Sequence, residues 1–232
     1  MVLRNELISK INNNEQIIFV KYGDGEINCM LGHEGENCDG DPYIPELRSG
    51  LIQSLEIYCT HQNAYIAKWP FGNSLDYIIQ QLKFPTPKYT DYHLAMNDDE
   101  FNKDNSMYNL VESIQKIKKK KIIITNELNN SMKDLFNADV LIKVPQNNWF
   151  KEHPYYFQQV FNELTNDSLL ITAAGQGSKV LIATALIYFP NISCIDIGSS
   201  FDILCKKKNT RGWKHTYEDE YAYYKDLLPE GF

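Results

Sequence analysis

Residues 19–30 read FVKYGDGEINCM and place two carboxylates, Asp24 and Glu26, two positions apart at the end of an apolar run. Each stands behind a glycine, Gly23 or Gly25. In extended backbone, residues i and i+2 point the same way, so both carboxylates can address one point. Two like charges that close raise each other's pKa unless a cation compensates them. Mg²⁺ and Mn²⁺ are hard ions that take oxygen ligands, and one or two carboxylates plus substrate phosphates complete their shell. The same residues also make an ordinary Gly-Asp-Gly turn, with Glu26 opening a helix whose dipole favours it. The local sequence leaves both readings open.

A second candidate is AAGQGSKVLIATAL, residues 173–186. Gly175 and Gly177 flank one residue between an apolar run and an Ala- and Leu-rich segment, which lets backbone approach a phosphate at a helix N-terminus. Ser178 and Lys179 add a hydroxyl and a charge. The spacing is neither the dinucleotide fingerprint nor a Walker A loop, and a tight strand-to-helix turn accounts for it equally well.

Six short Ile- and Val-rich runs must position these groups: 16–22, 64–69, 121–125, 139–144, 169–175 and 192–198. They are continuously apolar rather than alternating, as in a sheet covered on both faces. Helical patterns lie at 3–12, 44–60, 73–83, 106–119, 128–137, 153–165 and 178–189. Alternating strands and helices predict a single-domain α/β protein with a parallel sheet flanked by helices. Ligands of such sheets bind outside the carboxyl ends of the strands, where both candidates fall.

The length of 232 residues, 43% of them hydrophobic, suits one good-sized core. A net charge of −7 gives no global field favouring nucleic acid or an anionic membrane. The five cysteines form no C-x-x-C pair and read as reduced thiols. No stretch has the length of a membrane span, and residues 1–16 lack an apolar signal core. The expected location is the cytoplasm. The polar stretch 97–106 reads as a surface excursion, and KIKKKK (116–121) as cations complementing a helix C-terminus or a phosphate patch.

Taken in order, these motifs resemble the GT-D type of glycosyltransferase, with a Rossmann-like domain and an R-x-G-D-G-E segment after the first strand. Here that segment is Lys21-Tyr22-Gly23-Asp24-Gly25-Glu26, with Lys21 in place of the arginine. VPQNNWF (144–150) looks like the family's proline and Asn-aromatic element, and ITAAGQGSKVLIATAL like its next strand and turn. CIDIGSSFDIL (194–204) keeps the Asp-Ile-Gly and Asp202, with a serine, Ser199 or Ser200, where the family has a histidine.

The resemblance implies transfer of a sugar from a nucleoside-diphosphate donor, UDP-linked, to a saccharide acceptor in glycan synthesis. It implies Mn²⁺ or Mg²⁺ on Asp24 and Glu26, with diphosphate contacts from Lys21, Gly23, Gly175, Gly177, Ser178 and Lys179. Asn147 and Asn148 are expected on ribose, base or sugar hydroxyls, and Trp149 and Phe71 on a ring. Asp202 is the first candidate for a general base and Asp196 the second, ahead of Glu152 and His153. The aromatic tail, residues 206–232, either stacks on an acceptor or packs on the domain or on a second copy in a homodimer, and Arg211 and Lys214 can reach a diphosphate. The alternatives are a metal-dependent phosphoesterase or nucleotidyl enzyme, and a non-catalytic nucleotide-sugar-binding α/β module.

Overall fold

The computed structural model describes residues 4–68, 72, 74–96, 103–209 and 211–232. Phe71 and most of 97–106 lie outside these. Seven strands form one all-parallel sheet: β1 (Ile18–Tyr22), β2 (Ala64–Lys68), β3 (Tyr89–Asp91), β4 (Lys120–Asn126), β5 (Val140–Val144), β6 (Ser168–Ala173) and β7 (Ser193–Asp196). Their order is β3-β2-β1-β7-β6-β4-β5: the chain runs from β1 through β2 to β3 at one edge, crosses to β4 and β5 at the other, and returns through β6 to β7. Ile18 pairs with Ala64 of β2 on one side and with Cys194 of β7 on the other, so the last strand closes the sheet beside the first.

Both faces of the sheet are covered, as the apolar runs require. Alternate residues of β1 feed two separate layers: Ile18, Val20 and Tyr22 pack on one face, Ile17 and Phe19 on the other. The first layer receives α2 (Asp24–Leu31), α3 (Pro45–Thr60), α4 (Ser74–Gln81), α7 (His153–Glu163) and α8 (Gly177–Tyr188). The second receives α1 (Arg4–Asn12), α5 (Ser106–Lys116), α6 (Met132–Leu135), α9 (Asp202–Lys206) and α10 (Tyr217–Tyr224).

All six expected strands are present; the added one is the three-residue edge strand β3, which follows Pro85 and Pro87 and is too short to show a period. The helix expected over 128–137 shrinks to the single turn α6. The lysines of 116–121 sit at the amino end of β4, away from the carboxyl ends. Lys121 Nζ donates to Gln115 O at 2.8 Å in the last turn of α5, and Lys120 pairs with Glu163 at 2.7 Å. Lys121 thus caps the end of α5, and Lys120 ties β4 to the last turn of α7. The aromatic tail packs on the domain: Tyr224 is buried against Phe201, and Tyr223 Oη donates to Asp104 O at 2.8 Å. No described helix is long and apolar enough to cross a membrane, and no cysteine is in a disulfide.

Candidate functional site at the carboxyl ends of the strands

A cavity of about 330 Å³ opens outside the carboxyl ends of β1, β4, β5, β6 and β7. It brings together most of the residues singled out in the sequence: Lys21, Gly23, Asp24, Glu26, Gly175, Lys179 and Asp202 line it. Gly177 and Asn148 line a small adjoining cavity instead. Ser178, Asn147 and Asp196 line neither.

Of the two local readings of the acidic pair, the structure adopts the turn that opens a helix and not the extended segment. Backbone after Gly23 turns at once into α2, so Asp24 and Glu26 occupy its first turn. Two residues along a helix are separated by roughly 200° around the axis, and the two side chains diverge. Asp24 stays exposed; Glu26 is buried. Glu26 closes a capping box, its Oε2 accepting the Gly23 N–H at 3.0 Å. Its Oε1 lies 2.7 Å from the Lys179 ammonium, which also pairs with Asp196 Oδ2 at 2.9 Å.

Lys179 is therefore a buried counter-ion between two carboxylates rather than a phosphate ligand. Burial opposes its charge, but Asp196 and Glu26 outweigh that and hold its pKa well above the usual lysine value. Asp196, expected as a second candidate base, lies beneath the cavity floor at 1% exposure. It accepts from the Gly198 N–H at 3.1 Å and from Lys179, and is a structural anchor.

The donor set decides where a divalent ion could go. Glu26 already faces an ammonium that would repel one, so a chelate by the pair does not fit. Asp24 does fit: its Oδ1 accepts the Gly25 N–H at 2.9 Å, and the residue is exposed. One hard oxygen ligand that needs phosphate oxygens to complete a shell matches how Mg²⁺ is usually held. Among the described residues no three His, Cys, Asp or Glu side chains cluster as a metal site.

The phosphate cradle expected at Gly177 and Ser178 is also rebuilt. The Ser178 N–H donates to Gly175 O at 3.2 Å within the turn. A Cβ on Gly177 would sit 2.6 Å from the Trp149 ring, so that glycine admits an indole and not a ligand. Trp149 itself is core: its N–H donates to Ala174 O at 2.7 Å, and only its rim reaches the cavity. Asn148 takes a left-handed φ of 63°, tolerated by asparagine, and its backbone N–H donates to Asp41 Oδ1 at 2.7 Å. His153 stacks on Phe150 and bonds Phe150 O, a structural role.

Lys21 is buried, with its ammonium donating to Ile197 O at 2.6 Å beside the cavity. Burial lowers its pKa to about 8, with Asp196 acting in the opposite sense. Asp202 faces the cavity between Lys206 Nζ at 2.9 Å and Asn129 Nδ2 at 3.2 Å.

Asn37, Cys38, Asp39 and Asp41, also on the cavity wall, belonged to no motif in the sequence. Asn37 Oδ1 accepts the N–H groups of Asp39 and Asp41, both at 2.9 Å, and this turn aims Asp41 into the cavity. Burial raises the pKa of Asp41, opposed by the Asn148 N–H and the Asn37 amide. Gln176 lies beside it. On the rim, Arg211 joins Asp39 at 2.8 Å and Cys38 Sγ at 2.9 Å, clasping the tail segment to the loop after α2. Only the Asn-Gly-Asp-rich composition of 37–41 signalled a shaped loop.

No family model and no curated protein matches the sequence. Solved structures do. A new glycosyltransferase from Streptococcus sanguinis, carrying domain of unknown function 1792, superposes with a TM-score of 0.65 at 17% identity, over 98% of this chain and 92% of that one. A second structure of that domain, described as having a distinct glycosyltransferase fold, superposes with a TM-score of 0.61 at 19% identity, over 100% of this chain and 90% of that one. The chain shares their fold. Both likenesses run nearly end to end, so the Rossmann-like sheet and its flanking helices are common to all three.

Proposed function

We propose that the protein is a glycosyltransferase that moves a sugar from a nucleoside-diphosphate donor, UDP-linked, to a saccharide acceptor. The observation that carries this is the cavity outside the carboxyl ends of five parallel strands, with Asp24, Asp202 and Arg211 on its wall. Open α/β sheets bind their ligands outside these ends. The glycosyltransferase description of both structural neighbours supports the same class.

The charges suggest how the diphosphate is held. Lys206 and Arg211 are paired with Asp202 and Asp39, and Lys179 with Glu26 and Asp196, so most of the cationic charge on the resting wall is already matched by carboxylates. An incoming diphosphate adds negative charge that the wall cannot neutralise alone. Mn²⁺ or Mg²⁺ held by Asp24 and the phosphate oxygens would supply it, stabilising the leaving diphosphate as a Lewis acid. Arg211 at the rim presents a planar fork suited to phosphate. Asp202 is placed to take the proton of an attacking acceptor hydroxyl, with Lys206 and Asn129 orienting its carboxylate.

The test is thermal stabilisation by UDP, GDP and dTDP, each with and without Mn²⁺, followed by UDP release from UDP-hexoses with a saccharide acceptor. One nucleotide should stabilise the protein in an Mn²⁺-dependent way, and Asp24→Asn should remove the Mn²⁺ increment. No stabilisation by any nucleotide, with or without the metal, would refute the proposal. Release of phosphate from simple esters would favour a phosphoesterase.

A further inference from the structure

The Gln176 side chain is 2% exposed, yet neither its Oε1 nor its Nε2 has a hydrogen-bond partner among the described residues. Buried amides without partners are rare because each leaves both a donor and an acceptor desolvated. This one lines the same cavity as Asp41, whose carboxylate accepts the Asn148 N–H at 2.7 Å and a long 3.5 Å contact from the Asn37 amide. The surroundings hold it in place: a Cβ on Gly25 would lie 2.9 Å from Gln176 Nε2. The second glycine of the G-D-G-E segment is thus the floor under this amide. Across from it, Gly175 takes a left-handed φ of 66°, and a Cβ there would meet Asp41 Oδ2 at 3.2 Å. The rim of Trp149 closes one side.

We infer that Asp41, Gln176 and Asn37 form the subsite for the hydroxyl groups of the transferred hexose, an inference that rests on the nucleotide-sugar reading above. The chemistry selects hydroxyls over the other parts of the donor. A phosphate carries only acceptors, so it cannot satisfy Oε1 and is repelled by Asp41. The edge of a uracil offers one N–H flanked by acceptors, which suits the amide but turns an acceptor toward the carboxylate. Adjacent hydroxyls each donate and accept. One can donate to Asp41 while its neighbour donates to Oε1 and accepts from Nε2. The diphosphate is left for Arg211 and Asp24.

A ribose also carries a diol, and the experiment separates the two sources. Binding of UDP, of a UDP-hexose and of a free methyl hexoside is measured on the wild type, Gln176→Leu and Asp41→Asn, by calorimetry for the nucleotides and saturation-transfer NMR for the glycoside. The UDP-hexose should bind the wild type about tenfold more tightly than UDP, a difference of the size one well-placed polar pair gives. Gln176→Leu should reduce that gap to within about twofold and leave UDP unchanged, and both variants should lose the glycoside signal. Circular dichroism melting establishes that each variant is folded; if Asp41→Asn is not, Gln176→Leu alone decides.

Equal losses for UDP and UDP-hexose would move the diol to the ribose and overturn the hexose assignment. So would a glycoside signal and a UDP-hexose gap both unaffected by Gln176→Leu, or the absence of glycoside signal and of any gap in the wild type. A glycoside that binds and responds to Gln176→Leu, in a protein that ignores every nucleotide, would uphold the subsite and refute the nucleotide-sugar reading.

Discussion

Lys179→Met tests the central electrostatic statement, that Lys179 is the counter-ion of Glu26 and Asp196. The wild-type ammonium is 5% exposed and lies 2.7 and 2.9 Å from the two carboxylates. Methionine conserves most of the stem, so the change removes the charge with little loss of packing. Breaking a buried pair by deleting one partner typically costs about 3–5 kcal/mol. Here two anions lose one cation, but each keeps backbone donors: Gly23 N–H for Glu26, Gly198 N–H for Asp196. A cost of about 4 kcal/mol follows, and at roughly 2–4 °C per kcal/mol for a chain of this size the Tm should fall by about 8–16 °C.

The pH dependence distinguishes lost charge from lost packing. In the wild type the raised pKa of Lys179 gives stability that is fully present below the ordinary lysine value and fades only above it. Between pH 5 and 8 that contribution is flat. In the variant the stranded carboxylates have pKa values raised above those of the unfolded chain, so the folded state binds more protons and gains stability as pH falls. Chemical denaturation of both proteins at pH 5 and pH 7.5 should show the deficit shrinking at the lower pH, and Glu26→Gln in the Lys179→Met background should recover part of it. A cost under about 1 kcal/mol, or a deficit identical at both pH values, would refute the counter-ion role.

Three further outcomes follow from the same geometry. Gln176→Leu should raise thermal stability by about 0.5–2 kcal/mol, since an unpartnered buried amide is replaced by an apolar group of similar size; a loss of stability in denaturant melts would show that the amide has a partner within the protein. Asp39→Asn should tighten UDP binding and Arg211→Ala weaken it, each by up to about tenfold in calorimetry, because the first frees and the second deletes the rim guanidinium; unchanged affinity in both would remove Arg211 from the diphosphate site. Lys21, with a folded pKa of about 8 against 10.5 unfolded, holds fewer protons when folded across that window. Its charge therefore destabilises the fold below pH 8, and the penalty is relieved as pH rises to 10.5, by about 3 kcal/mol in all. The wild type minus Lys21→Met stability difference, followed from pH 7.5 to 10.5, should move in the wild type's favour by that order; a flat difference would show that Lys21 is not desolvated.

The strands were legible because a sheet buried on both faces demands uninterrupted apolar runs, and β1, β4 and β6 supply them. The elements the sequence hid are those stabilised by one another rather than by their own pattern. The edge strand β3 has three residues and no period to read. Helix α9 spans five residues and is held by its lysine-to-aspartate pair and by Glu220, whose Oε2 accepts the Leu204 N–H at 3.1 Å. Helix α2 was legible only as one of two local readings. Its first residues are Asp24, Gly25 and Glu26, and a glycine at the second position, costing about 1 kcal/mol relative to alanine in a helix, argues locally for a turn.

That glycine shows where site and fold meet. Gly25 is tolerated in the first turn of α2 because the Gln176 amide, from the turn between β6 and α8, occupies the place of a side chain. Gly23 likewise stands 3.0 Å, measured from a built Cβ, from the Tyr92 hydroxyl. The spacing of the G-D-G-E segment is therefore set by two approaches from residues about 70 and 150 positions away, which no local period contains. Its two carboxylates were read as a pair because they are adjacent in sequence. In the fold they separate into a buried ion-pair member, Glu26, and a solvent-facing carboxylate, Asp24. The carboxyl edge of the sheet gathers Asp41, Gln176 and Asp202 from three other segments into one wall, so the chemistry of the site belongs to the topology more than to any of its motifs.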